Sequence, residues 1–145
     1  MWVDKECDSA VFMDQRKVYM EFTSSDGRTR KCDINPDVVA DYSRLPYKDQ
    51  SFSMVVFDPP HLTDISPLAD IAQKYGILFP NWRETLPEGF VEAMRVLRPN
   101  GTLVFKWNDI QTSISEVINL FPQRPLYGHP TGKQGRTKWL IYMIK

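Results

Sequence analysis

The sequence predicts an α/β fold: a mostly parallel sheet with an antiparallel strand at its carboxyl-terminal side, plus a β-hairpin flap near the start. Three observations predict it. Short apolar runs ending in an acid occur three times, at residues 10–14, 37–41 and 54–58. From Ser53 onward the patterning reads strand, helix, strand, helix, strand, strand. Upstream, Ser24-Ser-Asp-Gly27 separates two strand-like segments, and Asp-Gly in that position is a hairpin signal.

The elements follow in order. Residues 10–14 predict a buried strand. Residues 17–23 alternate, with Val18, Met20 and Phe22 on one side, and the charged segment 28–33 reads as their exposed antiparallel partner. Residues 37–41 form another acid-ended run. Met54 to Phe57 reads as a strand buried on both faces, and it stops at Asp58-Pro-Pro-His61 because prolines give no hydrogen bond to a ladder. In open α/β sheets the ligand crevice lies at this carboxyl end of the strands. Ser66-Pro67 predicts a helix from 67 to 75, closed by Gly76. With residues 77–82 it makes either a substrate-covering lid or a satellite apolar cluster. Thr85 opens a second helix whose buried stripe is Phe90, Met94 and Leu97, with Gly89 tolerated at a small cost. Residues 102–107 predict a strand. Asp109 or Thr112 caps a third helix, which buries Ile114, Val117, Ile118 and Phe121. Residues 125–129 read as a short strand or turn, 130–137 as a mobile basic loop, and 138–144 as the last strand.

A chain of 145 residues reads as a single domain, 1–145, long enough to bury a core. Lys plus Arg is 18 and Asp plus Glu is 18, so any basic footprint for nucleic acid must be local. Cys7 and Cys32 form no metal-type pair, and with two histidines no metal site is expected. Free thiols, no export-signal pattern at the start and no run of the ~20 apolar residues needed to cross a bilayer point to a cytoplasmic protein away from membranes.

The acid-ended strands, followed by Val96-Leu-Arg-Pro-Asn-Gly-Thr-Leu-Val-Phe-Lys-Trp107, resemble the Rossmann-like sheet of class I S-adenosylmethionine-dependent methyltransferases. Asp58-Pro-Pro-His61 is similar to the Asp-Pro-Pro-aromatic signature of members that methylate exocyclic amino groups. Together with Gly132-Lys-Gln-Gly-Arg-Thr-Lys-Trp139, it resembles small phage-type and bacterial methyltransferase-like proteins. The resemblance implies S-adenosylmethionine as cofactor and, as substrate, an amino group, foremost the N6 of adenine in DNA. It implies Asp58, Pro59, Pro60 and His61 as catalytic loop, and Asp14, Asp41, Tyr42 and Phe57 as cofactor contacts. Trp107, Lys133 and Arg136 would face the substrate. The family opens with a strand and a glycine-rich cofactor loop, but the seven glycines here form no Gly-x-Gly. The sheet is therefore expected to be reduced at its amino-terminal end, or the cofactor to be held differently.

The residue types suit the chemistry. An exocyclic amine is a poor nucleophile, because its lone pair is shared with the ring. Two acceptors, the Asp58 carboxylate and the Pro59 carbonyl, would hold its hydrogens and aim that lone pair. Pro59 and Pro60 stiffen the loop by fixing φ. His61 would stack on a base drawn out of its helix. Two oxygens of Asp14 suit two ribose hydroxyls, and Asp41 suits an adenine amino group; both also suit plain turn caps. Lys133 and Arg136 would touch phosphates or simply face solvent. The alternatives are a methyltransferase for a protein amide or small molecule, and a non-catalytic binding protein on the same frame. A homo-oligomer or a partner subunit would suit the second.

Overall fold

Alternation along one long strand sets the architecture. From Gly101 to Asn108 every second residue (Gly101, Leu103, Phe105, Trp107) is buried, and the residues between them are half-buried. Such a strand has one face on a core and one face open. The structure is a computed structural model that describes residue 4, residues 6–24 and residues 26–144. The chain start read for an export signal is largely outside these residues, as is Ser25 at the hairpin turn.

The elements are β1 (Met13–Asp14), β2 (Val18–Thr23), β3 (Thr29–Ile34), β4 (Val38–Val39), β5 (Phe52–Phe57), α1 (Asp70–Tyr75), α2 (Trp82–Arg95), β6 (Leu97–Asn108), α3 (Ile114–Leu120), β7 (Tyr127–Thr131) and β8 (Thr137–Met143). Four strands form one sheet in the order β5-β6-β8-β7. Only β5 and β6 run parallel; β6–β8 and β7–β8 are antiparallel. The expected mostly parallel sheet is thus a small mixed one. The reason lies in the first half of the chain: β1 and β4 pair in parallel with each other as a separate two-stranded unit. Among the described residues, no strand bridges them to β5. β2 and β3 form the hairpin that Asp26-Gly27 signals, in register from Val18↔Ile34 to Thr23↔Thr29.

The strand expected to be buried on both faces is an edge strand. Val55 and Phe57 point into the core, while Met54 is 60% exposed. An apolar run reports burial on average and cannot tell an edge from a centre. The two upstream runs shrink to two residues each, with Val11 and Val39 exposed.

The core lies on one face of the sheet, under α2 and α3. Leu86, Phe90, Ala93, Val117 and Phe121 meet Leu103, Phe105, Leu140 and Tyr142 there. Phe90 stacks on Phe121 at 4.3 Å between centroids and meets Tyr142 edge-on at 4.8 Å. Aromatic pairs of this kind add about 0.5–1.5 kcal/mol each beyond their area.

Three helix boundaries differ from expectation. The first helix starts at Asp70, because the Ser66 hydroxyl and carbonyl are used in a turn with Leu68 and Ala69. Gly76, at φ 80°, closes it as expected. The second starts at Trp82 and carries Pro87 inside it. Pro87 cannot donate to the Arg83 carbonyl, but Trp82 is buried beside Trp107 and the helix begins there, nearly a turn before Thr85. Its buried line is Trp82, Leu86, Gly89, Phe90 and Ala93; Met94 is only half-buried and Leu97 belongs to β6. The third is capped by Ser113, whose hydroxyl accepts from the Glu116 amide at 3.2 Å, and not by Asp109 or Thr112. The basic loop expected to be mobile contains a single 3-10 turn, Lys133–Gly135, between β7 and β8.

Candidate functional site at the carboxyl end of the sheet

Strand register builds the site. Phe57 pairs with Phe105, and Lys106 pairs with Trp139 across β6 and β8. Asp58, one residue past Phe57, therefore emerges beside Lys106, and Lys106 beside Trp139, on the face opposite Phe57, Phe105 and Trp107. Lys106 Nζ donates to Asp58 Oδ2 at 2.6 Å. The Lys106 side chain is 13% exposed and that of Asp58 32%. Lys106 Nζ also lies 5.8 Å from the Trp139 ring centroid, and Trp139 is held by its Nε1 donating to Thr131 Oγ1 at 3.0 Å. Among the described residues nothing donates to Asp58 Oδ1.

The prolines are packed, not splayed into solvent. Pro59 is buried. Pro60 Cγ lies 3.3 Å from where a Cβ on Gly76 would sit, so the turn that closes α1 rests on the loop. His61 is half-buried, with its ring edge-on to Trp107 at 6.4 Å. Burial holds the His61 imidazole below its usual 6.5; nearby Asp58 opposes that shift and Lys106 adds to it. The unfolded chain therefore takes up this proton first as pH falls. Stability should fall as pH drops through about 6.5, and the loss should be complete below the folded-state value. Urea denaturation of wild type and His61→Asn across roughly pH 5–8 checks this. The variant should lose the part of the slope near pH 6.

The other two strand-end acids sit in local turns. Asp14 Oδ1 accepts from the Arg16 amide at 2.8 Å and from Arg16 Nε at 3.3 Å. Asp41 Oδ1 accepts from the Ser43 amide at 2.8 Å and hydroxyl at 2.9 Å. In both, Oδ2 has no donor among the described residues. Each acid is tied to the Asp58 loop through a neighbour. Arg16 donates to the Gln73 carbonyl at 3.2 Å, and its guanidinium, like Pro60, packs where a Gly76 Cβ would be. Tyr42 meets Phe57 at 5.3 Å, and its hydroxyl bonds Thr85 Oγ1 at 3.3 Å. Burial raises the Tyr42 phenol above its usual value.

The remaining implied residues fall differently. Phe57 is 8% exposed, and its ring is committed to Tyr42 and Phe105. Trp107 is 1% exposed and donates from Nε1 to the Thr112 carbonyl at 2.9 Å, so it is a core residue behind His61 and not a rim residue. Arg136 is exposed at the start of β8; its carbonyl accepts from the Asp109 amide. That loop stands at the Asp58 end, because Asn108 pairs with Thr137. The Lys133 side chain lies outside the described structure. The segment after His61 packs as the apolar cluster, one of its two readings. Leu78 and Trp82 are buried in the core, while α1 is strapped to the hairpin by Ser24 and Arg30 on Asp70.

Sequence reasoning missed two residues. Lys106 is the partner of Asp58; a lone lysine inside Leu103-Val-Phe-Lys-Trp107 was its signal. Gly89 is required, not tolerated: a Cβ there would sit 2.4 Å from Tyr42 Cδ2 and 3.0 Å from Phe57 Cζ.

No protein-family model matches this chain, and no curated protein matches it. Among solved structures it is similar to the PH0226 protein of Pyrococcus horikoshii, with a TM-score of 0.52 and 16% identity over 74% of this chain. The chain spans 58% of that protein's length. At this identity the likeness establishes a shared α/β fold and says nothing of activity. Among the described residues, no helix is long and apolar enough to cross a membrane.

Proposed function

We propose that this chain is a methyltransferase-type domain whose Asp58-Pro59-Pro60-His61 loop holds an amino group of its substrate. The observation that carries the reading is Asp58 itself. It stands at the carboxyl end of a sheet strand, already takes one N–H donor at 2.6 Å on Oδ2, and keeps Oδ1 open. Unlike Asp14 and Asp41, whose Oδ1 atoms accept from amides two residues on in the chain, Asp58 takes its donor from the neighbouring strand, and among the described residues no hydrogen bond ties it to its own loop. Asp58 Oδ1 and the Pro59 carbonyl would accept the two hydrogens of the amino group, and Pro60 would hold that carbonyl in place. His61, neutral through burial, would lie against a flat aromatic substrate. The substrate the sequence resemblance favours is the N6 amino group of adenine in nucleic acid, with the exposed Arg136 able to meet phosphates and Lys133 assigned the same role by the resemblance alone.

S-adenosylmethionine, when bound, would supply the sulfonium methyl group. The residues present fit its nucleoside end: the open Oδ2 atoms of Asp14 and Asp41 suit ribose hydroxyls and an adenine amine. For its methionine end the sequence holds no Gly-x-Gly turn. A second reading, a binding protein that needs a partner to become complete, is favoured by the open edge of β5.

Calorimetric titration with S-adenosylmethionine separates the two. The first reading expects binding to wild type that weakens at least roughly tenfold in Asp14→Ala and Asp41→Ala, the loss of one or two hydrogen bonds to charged groups. No heat with the isolated chain at millimolar cofactor, on the order of the weakest useful affinity, would favour the second.

A further inference from the structure

The charge of this site is balanced before any substrate arrives, with Asp58 and Lys106 2.6 Å apart. Lys106 uses only Oδ2, so an amino group arriving on Oδ1 comes within roughly 5 Å of the Lys106 ammonium, given ordinary hydrogen-bond lengths on one carboxylate. Lys106 has little room to retreat. Its side chain is mostly out of water, and its Nζ faces the Trp139 ring, which is itself pinned to Thr131. Among the described residues Lys106 is paired with Asp58 alone; Asp109 is paired with Lys138, and His61 feels both Asp58 and Lys106. A protonated alkylamine would bring a like charge into a poorly solvated spot, where such charges repel strongly. A nucleobase or carboxamide amino group brings none.

Resting on the amino-group reading of Asp58, we propose that Lys106 is a specificity-determining residue: it admits substrates whose amino group is neutral and rejects alkylammonium groups such as those of lysine side chains or polyamines. The lysine keeps the carboxylate oriented while cancelling the net charge that would otherwise make Asp58 an ammonium site.

The test is an NMR titration of the full chain with two probes, n-butylammonium chloride and 9-ethyladenine, followed at the Asp58 and Lys106 side-chain signals. Wild type should ignore n-butylammonium. Lys106→Met should bind it at Asp58, with a gain of roughly tenfold or more, the size expected when one like charge at this distance is removed. Lys106→Arg keeps the charge and should keep the rejection. If Lys106→Met does not fold, Lys106→Gln replaces it, since it still donates to Oδ2 without a charge. Absence of the gain, or equal n-butylammonium binding by wild type, overturns the proposal. A 9-ethyladenine titration that leaves the Asp58 signals unmoved would count against the amino-group reading alone, because charge selection is read from n-butylammonium.

Discussion

Asp58→Ala should cost both chemistry and stability. The alanine strands the Lys106 ammonium, whose side chain is 13% exposed, without its counter-ion. Breaking a fully buried pair costs several kcal/mol, but Asp58 is about a third open to solvent, so screening reduces the loss to about 1–3 kcal/mol. The double variant Asp58→Ala/Lys106→Met removes both charges and should recover most of that stability, because the cost comes from the orphaned cation. Transfer to an amino group should be lost in both, since neither retains the acceptor. Chemical denaturation of the two singles and the double measures the coupling. Equal stability of wild type and Asp58→Ala would mean that the pair does not persist in solution.

Gly89→Ala should lower stability where a helix glycine ordinarily predicts a gain. At an exposed helix position, alanine in place of glycine adds up to about 1 kcal/mol. Here the added methyl would sit 2.4 Å from the Tyr42 ring, with Phe57 behind it. Tyr42 cannot step aside freely, because its hydroxyl is on Thr85 and its face is against Phe57. Overpacking of this kind costs about 1–3 kcal/mol, so the net effect should be a loss of about 1–2 kcal/mol and a Tm lower by roughly 3–8 °C. Adding Tyr42→Val should return part of the loss. A melting temperature at or above wild type for Gly89→Ala would contradict the close approach of α2 to Tyr42.

These two positions show what the sequence conveyed and what it withheld. Local chemistry was legible. Asp26-Gly27 announced the hairpin, and Ile114, Val117, Ile118 and Phe121 announced the buried face of α3. The placement of Asp58 at a strand end was legible too, since Pro59 and Pro60 must stop a ladder. What depends on long-range register was not. Lys106 reaches Asp58 only because β5 and β6 pair as Phe57↔Phe105, and no local pattern states that. Gly89 reads as tolerated until Tyr42, far away in the chain, is seen against it. Thr85-Leu-Pro87 imitated a helix start, but burial of Trp82 outweighed the proline and set the start earlier. The parallel sheet was over-read for a related reason: β1 and β4 have the composition of sheet strands, yet among the described residues they pair only with each other.

The measurement that bears most directly on the function is a labelled methyl-transfer assay with S-adenosylmethionine, run over DNA, RNA, protein extract and small amines with wild type and Asp58→Ala/Lys106→Met in parallel. Label should enter a neutral amino group with wild type and stay at background with the double variant, which has no acceptor oxygen at position 58 and no stranded cation. Equal labelling by the two proteins, or label on no amino group at all, would contradict the assignment of Asp58 as the group that holds the substrate amine.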